Sequence, residues 1–204
     1  MLEFKDINIK FADKVLFNNF NIKVRAGEKV LLNAPSGSGK STLFRAFLGF
    51  QRINSGEIIF DGKKLAKNTL NYFRQNSCYV SQDVDLRNEV VSELLKEIFS
   101  YKCNKNTTIE QRKVKELFSY FDLQEDMFTK NVKELSGGER QRLGLIICIL
   151  LNRKIWLLDE VTSGLDKKMK EKVVEFILKS DKTVIIISHD SDWVKNEMLR
   201  IVRW

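Results

Sequence analysis

Three short runs of the chain are apolar without interruption: Val30-Leu31-Leu32, Ile155-Trp156-Leu157-Leu158 and Val184-Ile185-Ile186-Ile187. A strand with one face in water alternates apolar and polar residues, so an unbroken run marks a strand covered on both faces, as in a parallel sheet. Parallel neighbours need crossover connections, and helices are expected between the runs. The segment from Lys40 to Leu48 supplies one, with Leu43, Ala46 and Phe47 at helical spacing and a stop at Gly49. Met169, Val173, Phe176 and Ile177 mark another. The expected class is α/β.

Two other kinds of segment surround this pattern. Leu2, Phe4, Ile7, Ile9 and Phe11, then Leu16, Ile22 and Val24, alternate as half-buried antiparallel strands do, and Gly56-Glu57-Ile58-Ile59-Phe60-Asp61-Gly62 adds a short strand between two glycines. A small antiparallel sheet near the N-terminus is expected. Residues 83–151 carry helical stripes, Val91, Leu94, Leu95 and Ile98, then Val114, Leu117, Phe118 and Phe121, with no strand-like run. They read as a mostly helical insertion packed on the core. No internal repeat or low-complexity tract interrupts the chain, and Pro35 is its one proline. It reads as a single domain over residues 1–204. The core with its antiparallel part covers about 1–82 and 152–204, and the helical part about 83–151.

Composition adds limits rather than a function. The 204 residues, 43% hydrophobic, suffice for one packed core. Lys and Arg total 35 against 27 acidic residues, and the net charge of +8 suits a polyanionic partner as well as it suits a solvated basic surface. Cys78, Cys103 and Cys148 form no CxxC pair, which fits reduced thiols in the cytosol. The longest apolar run, residues 143–151, is far short of the roughly 20 needed to cross a bilayer, and the first ten residues do not read as a signal peptide. A cytoplasmic location is expected, with any membrane role exercised through a partner.

Ala34-Pro35-Ser36-Gly37-Ser38-Gly39-Lys40-Ser41-Thr42 lies between an apolar strand and a helix, the context of a phosphate-binding loop. Its glycines let backbone N–H groups crowd round phosphates, the helix N-terminus adds positive potential, Lys40 reaches the β and γ phosphates, and Ser41 can ligate magnesium. The usual pattern begins with glycine, and Ala34 departs from it. Asp159 and Glu160 follow the second apolar run, at the strand end where open α/β sheets bind ligands. Asp159 can hold a magnesium shell, and Glu160 can polarise a water for in-line attack on a phosphate. An acidic pair after a strand is also a common helix start, so the motif is weak by itself.

Leu135-Ser136-Gly137-Gly138-Glu139-Arg140-Gln141 resembles the signature sequence of ATP-binding cassette (ABC) proteins, and the resemblance spans the chain from Phe11 to His189. It implies a P-loop NTPase core of RecA-like type with a helical subdomain, and ATP and Mg2+ as ligands. Ser136, Gly137 and Gly138 would open a helix with free N–H groups and contact the γ phosphate held by an opposite subunit, so a second cassette, expected to be an identical copy, is implied. Gln82 matches the glutamine loop that senses magnesium and the attacking water. Ser163-Gly164-Leu165-Asp166 matches a loop that crosses the dimer interface, with Gly164 where alanine is more usual. His189 matches the switch histidine that bonds the γ phosphate; a lone histidine is more often structural, but its place after an apolar run reverses that preference. Phe11 falls where the family stacks an aromatic on adenine, although a core position is equally open. Val161 stands where proline is frequent. Ile147 stands where an arginine commonly interrupts an otherwise apolar helix, which marks that helix as buried in the core or against a partner.

On this resemblance the chain is expected to hydrolyse MgATP to drive a separate membrane permease, peripheral on the inner face of the membrane. The segments around residues 129–139 and 157–163 look like compact bacterial cassettes linked to iron export, and lipoprotein-release cassettes share much of them. A second reading, a soluble relative acting on nucleic acid or the ribosome, suits the +8 charge. Such relatives carry paired cassettes or a long coiled coil, absent here, and no nucleic-acid partner is expected. A sensor that binds without hydrolysing is disfavoured by the presence of Lys40, Asp159, Glu160 and His189.

Overall fold

The computed structural model describes residues 1–11, 14–105, 107 and 109–204. The apolar runs form β3 (Lys29–Leu32), β7 (Ile155–Asp159) and β8 (Thr183–Ile187). With β6 (Ser77–Val80) and β9 (Arg200–Val202) they make one parallel sheet in the order β6-β7-β8-β3-β9. Period-two side-chain placement explains the unbroken apolar pattern. Val30, Leu32, Ile155, Leu157, Ile185 and Ile187 go to one face, while Leu31, Trp156, Leu158, Val184 and Ile186 go to the other. All eleven are essentially excluded from water.

The first face meets the antiparallel sheet and helix α1. β1 (Leu2–Phe11), β2 (Lys14–Val24), β4 (Ser55–Phe60) and β5 (Lys63–Lys64) lie in the order β2-β1-β4-β5. Leu2, Phe4, Ile7, Ile9, Ile58 and Phe60 turn inward onto Leu43, Phe44 and Phe47 of α1 (Lys40–Phe47) and Phe73 of α2 (Leu70–Gln75). Asp61 and Gly62, both at positive φ, make the two-residue turn between β4 and β5 that matches strand twist.

The second face meets helices α3 (Val91–Ser100), α4 (Gln111–Tyr120), α5 (Gly137–Leu151) and α6 (Lys167–Lys179). A short helix, α7 (Ser191–Val194), buries Trp193, whose Nε1 donates to Thr162 Oγ1 at 3.1 Å. The stripes Val91, Leu94, Leu95 and Val114, Leu117, Phe118 are buried in one cluster with the sheet's own residues, and so are Leu143 to Leu150 of α5. The all-round apolar helix therefore lies in the chain's own core, and Ile147 is 7% exposed. The parallel sheet is wider than three strands: β6 and β9 are short and carry too few apolar residues to stand out in sequence.

Candidate active site

Because β7, β8 and β3 are parallel neighbours, the segments leaving their C-terminal ends share one edge of the sheet. Residues 34–39 leave β3, Glu160 follows β7, and His189 follows β8. Lys40 shows the result: its Nζ donates to the carbonyls of Ala34 at 2.6 Å and Pro35 at 3.1 Å and stands 3.2 Å from His189 Nε2. It is buried, and desolvation lowers its pKa against the opposing pull of the Glu160 and Asp159 charges.

The loop is shaped by its glycines and by β2. Gly39 holds φ +97° at the start of α1, and a Cβ there would lie 2.7 Å from Phe17 Cε2, so only glycine fits. Lys14 Nζ donates to Gly37 O at 3.2 Å, tying the start of β2 to the loop. Ala34 is buried and is not among the residues at positive φ, so alanine brings no backbone strain there. The Ser38 Oγ atom is buried without a hydrogen-bond partner, a polar group for which an anion held by the loop is a fitting partner.

Asp159 closes β7, 4% exposed, and its Oδ2 accepts from the Tyr79 hydroxyl at 3.2 Å. Burial, helped by the Asp159 charge, pushes the Tyr79 phenol up to about 12, so it stays a donor. Glu160 sits in the left-handed region at φ +51°. Its N–H donates to Ile187 O at 2.8 Å. Its carbonyl accepts from Gln141 Nε2 at 2.8 Å, Ser163 Oγ at 2.7 Å and Ser163 N at 2.9 Å. The carboxyl lies 3.9 Å from His189 Nε2. Burial raises its pKa above the ordinary carboxylate value, while His189 and Lys40 oppose the rise.

The signature residues lie elsewhere. Ser136 caps α5: its Oγ accepts from Glu139 N at 3.2 Å and its N–H donates to Glu139 Oε2 at 2.7 Å, a reciprocal capping box. Those bonds hold the Glu139 carboxyl below its usual pKa. Gly137, Gly138, Gln141, Gln82, Ser163 and Gly164 line a cleft of about 590 Å3, and none of residues 34–42 lines it. A larger cleft of about 710 Å3, lined by Tyr120, Trp156, Phe176 and Lys182, includes none of these residues.

The predicted residues thus fall into two groups. Residues 34–42, Asp159, Glu160 and His189 come together, whereas Gly137, Gly138 and Gln82 share the second surface, with Ser136 capping the helix that starts at Gly137 and Gln82 exposed. Phe11 is 47% exposed at the end of β1, paired with Lys14, and is not a core residue. Tyr79 and Gln141 belong to no motif that marks them for the site; a tyrosine inside a short apolar segment and a glutamine shortly before an apolar helical run are the traces they leave in sequence.

Residues 17–163 match the ABC transporter family. The chain is 32% identical over 200 residues to the probable iron export ATP-binding protein FetA of Escherichia coli (strain K12), covering 96% of this chain and 88% of that protein. It is also 32% identical over 203 residues to the ATP-dependent lipid A-core flippase of Haemophilus influenzae, covering 96% of this chain but 35% of that protein. The dimeric, post-hydrolysis structure of the ATP-binding cassette MJ0796 bound to ADP and Pi superposes with a TM-score of 0.83 at 26% identity, covering 100% of this chain and 94% of that one. The chain belongs to the ABC transporter family. Within it, the protein is an ATP-binding cassette that hydrolyses ATP. No helix among the described residues is long and apolar enough to cross a membrane.

Proposed function

We propose that this cassette binds MgATP on the loop at residues 34–42 and hydrolyses it when two cassettes close, to power a separate membrane permease. The observation that carries the reading is the convergence of Lys40, Glu160 and His189, from three distant parts of the chain, with the unpartnered Ser38 hydroxyl in the loop that leads into Lys40. Lys40, the loop N–H groups, Ser36, Ser38 and Thr42 bind the phosphates, and Phe11 stacks on the adenine from its exposed place near Lys14. Lys40 exchanges its contacts to the Ala34 and Pro35 carbonyls for phosphate oxygens.

The Asp159 carboxylate and Ser41 hydroxyl fit a hard cation that takes one or two protein oxygens and leaves the rest to phosphate and water. Ser41 and Asp159 would hold magnesium, which when bound neutralises charge on the β and γ phosphates, and Gln82, which lines the signature cleft, would join them only on closure of the helical part toward the core. Glu160 takes a proton from the attacking water, and its raised pKa makes its carboxylate a better proton acceptor than an ordinary one. His189 hydrogen-bonds the γ phosphate and orients the base. Ser136, Gly137 and Gly138 present a helix N-terminus to the γ phosphate held by the second cassette, taken to be an identical copy, which accounts for their distance from the chain's own loop. The permease holds the dimer at the inner face of the membrane, and likeness to FetA makes a metal such as iron, exported, the cargo to test first.

Turnover of MgATP by the wild type and by Glu160→Gln tests the base. A loss on the order of 10²–10⁴-fold in kcat is expected, and equal rates would remove Glu160 from that role.

A further inference from the structure

Glu160 occupies a backbone conformation that its residue type disfavours. A non-glycine residue in the left-handed region costs about 1–2 kcal/mol and persists only where neighbours hold it. Its carbonyl is the anchor, and of the three donors that reach it two belong to Ser163, in the same turn. The third, Gln141 Nε2, is the one that arrives from another element, the second turn of α5. Gln141 is 6% exposed, a polar side chain separated only by Arg142 from a run, residues 143–151, that is wholly apolar or glycine. Burying a glutamine amide without need costs free energy, so its bond to Glu160 is the feature that explains its presence.

We infer that Gln141 is a positioning residue that ties the backbone of the catalytic glutamate to the signature helix of the same subunit. The helix capped by Ser136 carries Gly137 and Gly138, the residues proposed to meet the opposite phosphate, in its first turn and Gln141 in its second. Gly138 also lies against the loop after Glu160, since a Cβ on it would meet Leu165 Cδ2 at 3.6 Å and Gly164 O at 3.8 Å. Engagement of the signature by a nucleotide on the opposite cassette therefore acts on the Glu160 carbonyl through one rigid turn of helix. Each subunit's base is set by whether its own signature is occupied across the dimer, which links the two sites. The inference rests on the proposed role of Glu160 as base.

The test uses Gln141→Met, which keeps the length of the side chain and removes the donor, with Gln141→Leu in parallel to guard against one replacement failing to fold. ATP binding to the full-length chain is followed with a fluorescent nucleotide, and turnover is measured across ATP concentrations. Binding and KM should stay within about twofold of wild type while kcat falls about 10- to 100-fold, the loss expected from sub-ångström to ångström displacement of a catalytic group. In a Glu160→Gln background the same replacement should cause no further loss. Unchanged kcat, a matching rise in KM, or an additive loss in the double variant would overturn the positioning role. If Glu160→Gln alone keeps wild-type turnover, it is the assignment of the base that fails, and the two failures are distinguishable.

Discussion

Glu160 carries a charge that its surroundings resist. Burial is the largest cause of its raised pKa, and the nearby His189 and Lys40 only partly counter it, while Asp159 adds to the rise. In its proposed role as base it must be ionised to accept a proton, so kcat/KM is expected to fall as pH drops through a value above the ordinary 4.5, and a pH–rate profile measures it. Stability has the opposite sign. The folded chain holds this proton more tightly than the unfolded chain, so the group's contribution is full below the unfolded pKa and is lost as pH rises through the folded one. At neutral pH Glu160→Gln should therefore melt above the wild type while turning over far more slowly. A melting temperature at or below that of the wild type would contradict the burial argument. Asp159, Glu160 and His189 were legible in the sequence because each follows a run that can only be a buried strand. Tyr79 was not, because its partner Asp159 is eighty positions away and only the pairing of β6 with β7 brings them together.

At the scale of elements, the antiparallel sheet turns on one glycine. Gly56 in β4 holds φ +100°, and a Cβ there would lie 2.4 Å from Asp6 O and 2.6 Å from Lys5 O, both backbone atoms that cannot swing aside. The register of β1 on β4 shifts at this point, between Lys5 and Asn8. Gly56→Ala should cost about 2–4 kcal/mol, read as a lower urea midpoint at unchanged slope. The strand pattern of β1, β2 and β4 was readable from alternation, but the shift itself was not, since both registers keep apolar side chains inward over part of their length. Helix α5 makes the same point. Its apolar run meant burial, and only packing decided that the cover is the chain's own sheet and helices rather than a partner.

For the whole molecule, the separation of the signature from the chain's own phosphate loop is the feature with most consequence. Nothing lies within 4 Å of where a Cβ on Gly137 would sit, so the folded monomer does not need glycine there. A second molecule does, if its nucleotide must approach the N-terminus of α5. Gly137→Glu should leave folding and nucleotide binding by the monomer intact. In a Glu160→Gln background it should abolish the ATP-dependent dimer that sedimentation is expected to detect with Gly137 present. A dimer that survives would place the shared interface elsewhere. The net charge of +8 on each copy opposes self-association, which makes the bound anionic nucleotide a natural condition for closure.

The class of fold was determined by sequence, and the strings at residues 34–42, 135–141 and 159–160 were visible in it, because each depends on local periodicity or on a short run whose backbone demands few residue types can meet. Tertiary structure decided what depends on distance between elements. It put Lys40 against His189, hung the Glu160 carbonyl on Gln141, joined the helical segment and the parallel sheet in one core, and set Gly137 and Gly138 in a cleft that none of residues 34–42 lines. These contacts join residues with no relation along the chain, and a linear pattern carries no record of which strand ends become neighbours.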